Sequence, residues 1–463
     1  MAANSHVEKL SPLDLVMPAT YIRTLLTFKT TSSVDDICDV LNRGLAITAT
    51  QVPWIAGRVF PASSTTKPHA LEVRSNTDAG PPKVVRKGSI AATYKSLSAG
   101  GMDPGAIPSE LWPVSAMINE KDYETGVSAF SASLFRFSDG EGVGLCVGAH
   151  HNATDISGLA ELMKLWTENI RSPEAKNQPL TADRCSQLTG ALSDELTAAA
   201  SKPLDDLFSL HPEYSKVPPQ LPATFAALKS NMYRIPVAKL NAMKKELGSQ
   251  SQAPPTTNTI LCAALWTAIT LARRQRDPPS SAVGTSRLVT AVNGRPRLQW
   301  PNPSTPFLGN LVLYSMAKAS FEDLLACQNV SNQRLAKICD AVATSQSPSK
   351  IDSRHIAEVY SLVDRVENHK TVFPGWDLFN RRDLTITSWA NLDLYDLNFG
   401  EELGKAEFVR VPYSDADGVC LILPRKKAVG GDTGNEAIDV LVMLNRDDMN
   451  TLEQHQFWQS LVA

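Results

Sequence analysis

The chain has 463 residues, 43% hydrophobic and 20% charged, with 45 Lys+Arg against 48 Asp+Glu for a net charge of −3. That length exceeds one ordinary domain of about 100–200 residues, and the apolar share supports a large core and excludes a disordered chain. The near balance of charge leaves no electrostatic footprint for nucleic acid or an anionic membrane.

The first ten residues, MAANSHVEKL, carry no apolar h-region, so no secretory leader is expected. Ser33 and Asp36 form a weak capping box, followed by Ile37, Val40, Leu41 and Leu45 at helical spacing. Pro53 stops that helix. Val143, Leu145, Val147 and Ala149 alternate with Gly144, Cys146 and Gly148, which predicts a strand with one face of small side chains. This strand runs into His150-His151. A helix follows, with Leu159, Leu162, Met163, Trp166 and Ile170 on one face.

From Arg171 to Pro222, Ser, Pro, Lys and Asp dominate, including Pro173, Pro179, Pro203, Pro212, Pro218, Pro219 and Pro222. This stretch is expected to be a crossover between two halves, with a short helix near Ser193 to Ala200. The second half opens on an amphipathic segment from Met232 to Leu247. The apolar run Ile260 to Ala272 falls short of the roughly 18–20 residues of a membrane span and predicts a buried helix. Arg273, Arg274 and Arg276 close it; a solvated, dipole-favoured helix end is expected, with a site for ligand phosphates as the other reading. Asp277 to Ser281 is a surface loop. Strands are expected at Leu288 to Val292, Leu311 to Met316, Ile386 to Trp389, Val419 to Leu423 and Ile438 to Met443. Gly430 to Asn435 is a loop between the last two. Strands and helices in both halves predict an α/β or α+β fold.

The seven cysteines, Cys38, Cys146, Cys185, Cys262, Cys327, Cys339 and Cys420, form no C-x-x-C pair. Neither a disulfide framework nor a zinc ribbon is expected, and no metal. Buried thiols in a reducing, cytoplasmic compartment are the expectation. The sequence has no H-E-x-x-H, no Walker P-loop and no G-x-G-x-x-G after a strand.

The informative stretch is His150-His151-Asn152-Ala153-Thr154-Asp155-Ile156-Ser157-Gly158. A histidine at a strand end can face a cleft and act as a general base near neutral pH. Asp155 can brace the loop by pairing with an arginine; it reads equally well as the N-cap of the next helix, with a core histidine before it. On these residues alone the two readings stand level. His150 is read as a packing or hydrogen-bonding residue. His6, His69, His211, His355, His369 and His455 belong to no constellation and are given no role.

The ordered set of segments resembles the BAHD-type acyltransferases of the coenzyme-A-dependent superfamily. His151 to Asp155 resembles their H-x-x-x-D, and Asn293-Gly294-Arg295-Pro296-Arg297-Leu298 their D-G-R-x-R-L. Phe307-Leu308-Gly309-Asn310 resembles their Y-F-G-N and Thr387-Ser388-Trp389 their T-S-W. Asn398-Phe399-Gly400 stands in their D-F-G-W-G. Ser11 to Asp14 and Pro53 to Arg58 also fit. Asn293, Asn398, Glu401 and Ile156 depart from the pattern. Leu394 to Asp396, Leu403 to Lys405 and Glu407 to Arg410 are similar to fungal O-acetyltransferases of secondary metabolism, of the trichothecene 3-O-acetyltransferase and ergot-alkaloid acetyltransferase types.

The resemblance implies two chloramphenicol-acetyltransferase-like domains, each a mixed sheet with flanking helices, and an active-site tunnel between them. The expected division is 1–180, a linker at 181–222, and 223–463, with a segment near 385–400 packing back on the first domain. It further implies acetyl-CoA as cosubstrate, with no tightly bound cofactor, and a small-molecule alcohol as acceptor. His151 would be the general base. Asp155 would be structural, paired with Arg295 or, as the alternate, Arg297. Trp389 would donate to the oxyanion, while Thr387 and Ser388 would hold acceptor or thioester groups. Asn398, Phe399 and Gly400 would be a structural motif. Other readings are N-acylation of an amine, a carrier-protein-dependent condensation-type enzyme, and a non-catalytic binding protein on the same fold. Neither a membrane nor a nucleic-acid partner is expected, and a monomer is.

Overall fold

Apolar strands gather into two mixed sheets, beside a four-stranded and a two-stranded antiparallel sheet, in the computed structural model, which describes residues 5–63, 67–76, 80–174, 180, 183–276, 284–325, 332–427 and 436–462. The expected loops at 277–281 and 430–435, together with Pro179 and Cys327, lie outside the described residues.

The first sheet runs in the order Phe408–Arg410, Tyr21–Lys29, Gly142–His150, Phe130–Phe137, Val84–Ile90, antiparallel but for its last pair. Gly142–His150 is buried at every position. Its Val143, Leu145, Val147 and Ala149 enter one core, while Cys146 enters another with Leu25, Tyr94, Trp112 and Phe135. The small face follows from close packing: a Cβ on Gly144 would lie 2.2 Å from the Phe135 ring. Helices Val34–Gln51 and Ile156–Arg171 cover the larger-residue face. They are joined where Trp166 Nε1 donates to the Leu41 carbonyl at 2.9 Å. Ser33 caps the first of them, accepting from the Asp36 amide at 3.0 Å.

The second sheet runs Leu228–Pro236, Ala437–Asn445, Val419–Ile422, Leu384–Ser388, Thr285–Asn293, Val312–Ser320, with its two central pairs parallel. Helix Thr257–Gln275 packs on it, buried along most of its length.

Four expectations change. Met232 to Leu247 is not one amphipathic element: Leu228–Pro236 is an edge strand, and the helix starts at Val237. The strand pairs in register from Leu228↔Asn445 to Pro236↔Ala437 and is half-exposed over most of its length, so it lacks the period-2 alternation of a half-buried strand. Residues 181–222 are not a plain linker. Arg184–Ala191, Ser193–Ala200 and Leu204–Leu210 are helices, and Leu188, Leu192, Ala199 and Leu207 bury against Ile356, Val359 and Leu362. A few helically spaced apolar residues suffice to dock them. Arg273 is not solvated: it is buried, pairs with Asp417 at 3.0 Å and donates to the Asp383 carbonyl. Finally, Leu384–Ser388 stays within the second sheet, and the segment near 385–400 joins the first core from Trp389 onward.

That return is extensive. Trp389, Leu394, Leu397, Phe399, Leu403 and Val409 all join the first core. Phe399 is fully buried, edge-on to Phe28 at 5.3 Å and to Trp166 at 5.8 Å. Among the described residues no helix is long and apolar enough to cross a membrane. Truncating Phe399 to Ala removes this joint, and denaturant unfolding is expected to register a loss of about 3–5 kcal/mol.

Candidate active site

The strand Gly142–His150 ends at the doubled histidine, and helix Ile156–Arg171 begins five residues beyond His151. Every residue of the connecting turn is tied to a distant part of the chain. The His151 amide donates to the Thr20 carbonyl at 2.9 Å, and its carbonyl accepts from Asn310 Nδ2 at 2.8 Å. Asn152 Nδ2 donates to the Asp14 and Met17 carbonyls. The Ala153 carbonyl accepts from Arg184 Nη1 at 2.7 Å. Thr154 Oγ1 donates to the Leu308 carbonyl at 2.7 Å.

Asp155 fills both roles left open by the sequence. Its Oδ1 accepts from the Gly158 amide at 2.8 Å and caps the helix. Its Oδ2 accepts from Arg295 Nη1 at 2.9 Å and from the Leu311 amide at 2.8 Å. Arg295, not Arg297, is the partner. Its other donors reach the Phe307 and Gly309 carbonyls, at 2.9 and 2.6 Å. Asn293, where the family has Asp, still accepts from the Arg295 amide at 3.1 Å. Gly158 is required by contact: a Cβ there would lie 2.3 Å from Thr154 Oγ1 and 2.4 Å from the Leu308 carbonyl oxygen.

The two histidines differ in kind. His150 is fully buried; its Nδ1 accepts from the Asn152 amide at 3.1 Å, so its Nε2 carries the proton and donates to the Tyr123 hydroxyl at 2.9 Å. Burial, with His151 beside it, pushes its pKa down from 6.5 to about 3. His151 is partly exposed, and burial of its ring likewise lowers its pKa, which keeps it neutral at neutral pH. Its Nδ1 is buried and makes no hydrogen bond to protein. The Asp155 carboxylate is engaged with Gly158, Leu311 and Arg295, so it does not complete a Ser-His-Asp-like triad with this ring.

Thr387 and Ser388 lie partly buried at the end of an inner strand of the second sheet, opposite Leu421 and Ile422. Trp389 follows them; its amide donates to the Ile422 carbonyl, and its ring packs in the first core. Asn398 Oδ1 accepts from the Gly400 amide, and the Phe399 amide donates to the Gly404 carbonyl, a tight turn that presents Phe399 to the core.

Three residues with a positioning role were given none from sequence, although Asp14 and Asn310 stand in segments that carry the resemblance. Asp14 is fully buried; its Oδ1 accepts both the Asn310 amide and Asn310 Nδ2, and its Oδ2 accepts from Ser11. The Ser11 capping box was the available signal. Asn310 links Asp14 to the His151 carbonyl. Arg184, buried between Glu8 and the Ala153 carbonyl, sits in a stretch whose composition reads as loop.

A family profile described as the Transferase family matches residues 3–458. The trichothecene 8-O-acetyltransferase of Fusarium sporotrichioides is 26% identical, over 96% of this chain and 95% of that protein. The O-acetyltransferase ptmV of Penicillium ochrochloron is 24% identical, over 97% and 95%. Among solved structures, F. graminearum TRI101 complexed with coenzyme A and T-2 mycotoxin superposes with a TM-score of 0.79 at 16% identity, covering 98% of this chain and 99% of that one. Vinorine synthase superposes with a TM-score of 0.64 at 17% identity, covering 98% and 93%.

Two outcomes follow from this geometry. Asp155→Ala removes a helix cap and leaves the Arg295 guanidinium uncompensated, so denaturant unfolding is expected to show a loss of about 3–5 kcal/mol. His150 is held neutral in the fold, so between pH 6.5 and about 3 the unfolded chain binds the extra proton. Its contribution is complete above 6.5 and is lost as the pH falls through that window. Wild type is expected to lose thermal stability there more steeply than His150→Gln, as scanning calorimetry against pH would record.

Proposed function

The chain belongs to the Transferase family, and we propose that it moves an acyl group, acetyl in the first place, from coenzyme A to a hydroxyl of a small secondary-metabolite alcohol. The observation that carries this reading is His151: a partly exposed imidazole at a strand end, kept neutral by burial, with its neighbouring carboxylate committed elsewhere. Such a group can take a proton without first losing one. As the acceptor oxygen bonds to the thioester carbonyl carbon, its proton passes to His151. The carbon–sulfur bond then breaks, and the thiolate takes the proton back, leaving an ester and free thiol. With both substrates bound together, no acyl-enzyme is needed.

Under this reading the Trp389 indole N–H donates to the oxyanion of the tetrahedral intermediate. Thr387 and Ser388 hold acceptor or thioester groups. Asp155 and Arg295 position His151 and touch no substrate. Asn398, Phe399 and Gly400 are structural. The same reading divides the chain at 1–180 and 223–463, with the tunnel between the halves, and takes the protein as a cytoplasmic monomer. Support comes from the names of the relatives, which are O-acetyltransferases of fungi, and from the coenzyme A in the TRI101 complex.

Thiol release from acetyl-CoA, measured across a panel of fungal alcohols and amines, tests the proposal. Wild type is expected to release thiol only with an acceptor. His151→Ala is expected to fall about 10²–10⁴-fold with its circular dichroism unchanged. A variant as fast as wild type, or a chain that neither binds acetyl-CoA by calorimetry nor releases thiol, would sink it. The acid limb of kcat/KM is expected below pH 6.5, because burial lowers the His151 pKa from that value.

A further inference from the structure

Four side chains away from His151 form a buried cluster. His211 and Glu213 follow helix Leu204–Leu210; His355 and Glu358 lie one turn apart on helix Ser353–Arg365. His211 Nε2 is 2.9 Å from Glu358 Oε2, and the other Glu358 oxygen is taken by Lys202. That bond requires a proton on His211 Nε2. His211 Nδ1 faces Glu213 Oε1 at 3.3 Å. His355 Nε2 faces the same Oε1 at 3.5 Å, and it is buried with no hydrogen-bond partner. Two imidazole nitrogens thus converge on one carboxylate oxygen.

These three atoms are spaced as the ligands of one metal ion are. Zinc bonds to nitrogen and oxygen of about 2.0–2.2 Å, in tetrahedral array, set ligand atoms about 3.3–3.5 Å apart. Two of the edges have that length, and all three ligand atoms lie within 4.8 Å of one another. The Glu358–His211 pair supplies the outer-shell carboxylate that fixes the tautomer of a metal-bound imidazole. Glu213 and His355 also line a cavity of about 1020 Å³, through which a water can reach a fourth position. Two imidazoles and a carboxylate suit zinc and its first-row neighbours and are a poor match for calcium or magnesium.

We propose that His211 Nδ1, Glu213 and His355 Nε2 bind a divalent transition-metal ion of the zinc type, clipping the segment after helix Leu204–Leu210 to helix Ser353–Arg365. The proposal is independent of the acyl-transfer reading. It reverses the expectation of no metal and of no role for His211 and His355.

Titration of chelator-stripped full-length protein with Zn²⁺ by calorimetry tests it. One site of micromolar or tighter affinity is expected, with a zinc-dependent rise in Tm. Glu358→Gln is expected to weaken binding about 10–100-fold, through the loss of tautomer control. His355→Ala should abolish both binding and the Tm rise. Absence of saturable zinc binding in wild type would overturn the proposal without recourse to any variant. So would undiminished affinity in His355→Ala, or an NMR spectrum showing both nitrogens of His211 protonated in excess zinc.

Discussion

One carboxylate fixes the turn between His151 and the helix that follows it. Asp155 is fully buried, and a buried charge is tolerated only when its acceptor sites are filled. Three donors fill them, from three different parts of the chain: the Gly158 amide at a helix start, the Leu311 amide, and the Arg295 guanidinium. The residues between it and His151 have little freedom left. The loop carrying Phe307 to Asn310 is drawn in with them, since Arg295 holds two of its carbonyls and Thr154 a third. Asp14, a second buried carboxylate, holds Asn310 from the other side. His151 is therefore placed through its backbone, and its Nδ1 makes no hydrogen bond to protein.

This division of labour explains why paired histidines can coexist in such a small space. His150 is consumed by structure: both nitrogens are bonded and its charge is suppressed by burial. His151 keeps a nitrogen without a protein partner and an exposed edge. The two sheets serve the same end. The first delivers the histidines, and the strands and loops of the second supply Arg295, Asn310 and Leu311.

Much of this was legible in the sequence, and the residues say why. The strand at Val143 to Ala149 and the helices around Leu41 and Leu162 are each read from one period of apolar residues, which the fold satisfies face by face. The family resemblance carried by His151 to Asp155 and by Asn293-Gly294-Arg295 implied an ion pair that is present. What escaped was either nonperiodic or nonlocal. The edge strand Leu228–Pro236 has no fully buried face to give it an alternating pattern. The helix expected near Ser193 to Ala200 is present, but its neighbours Arg184–Ala191 and Leu204–Leu210 are short and polar, so their composition resembles a loop. Arg184 and the cluster at His211 acquire meaning only through partners far along the chain, which no local window contains.

The strand Phe408–Arg410 lies at the outer edge of the first sheet, hydrogen-bonded to Tyr21–Lys29. During synthesis the amino-terminal strands emerge first, with that edge bare until nearly the whole chain has left the ribosome. An uncovered edge is a template for pairing with other chains, and contacts of such long sequence separation form slowly. The nascent first half therefore carries an unpaired sheet edge for that interval. The strand that completes it also commits the two halves to maturing together.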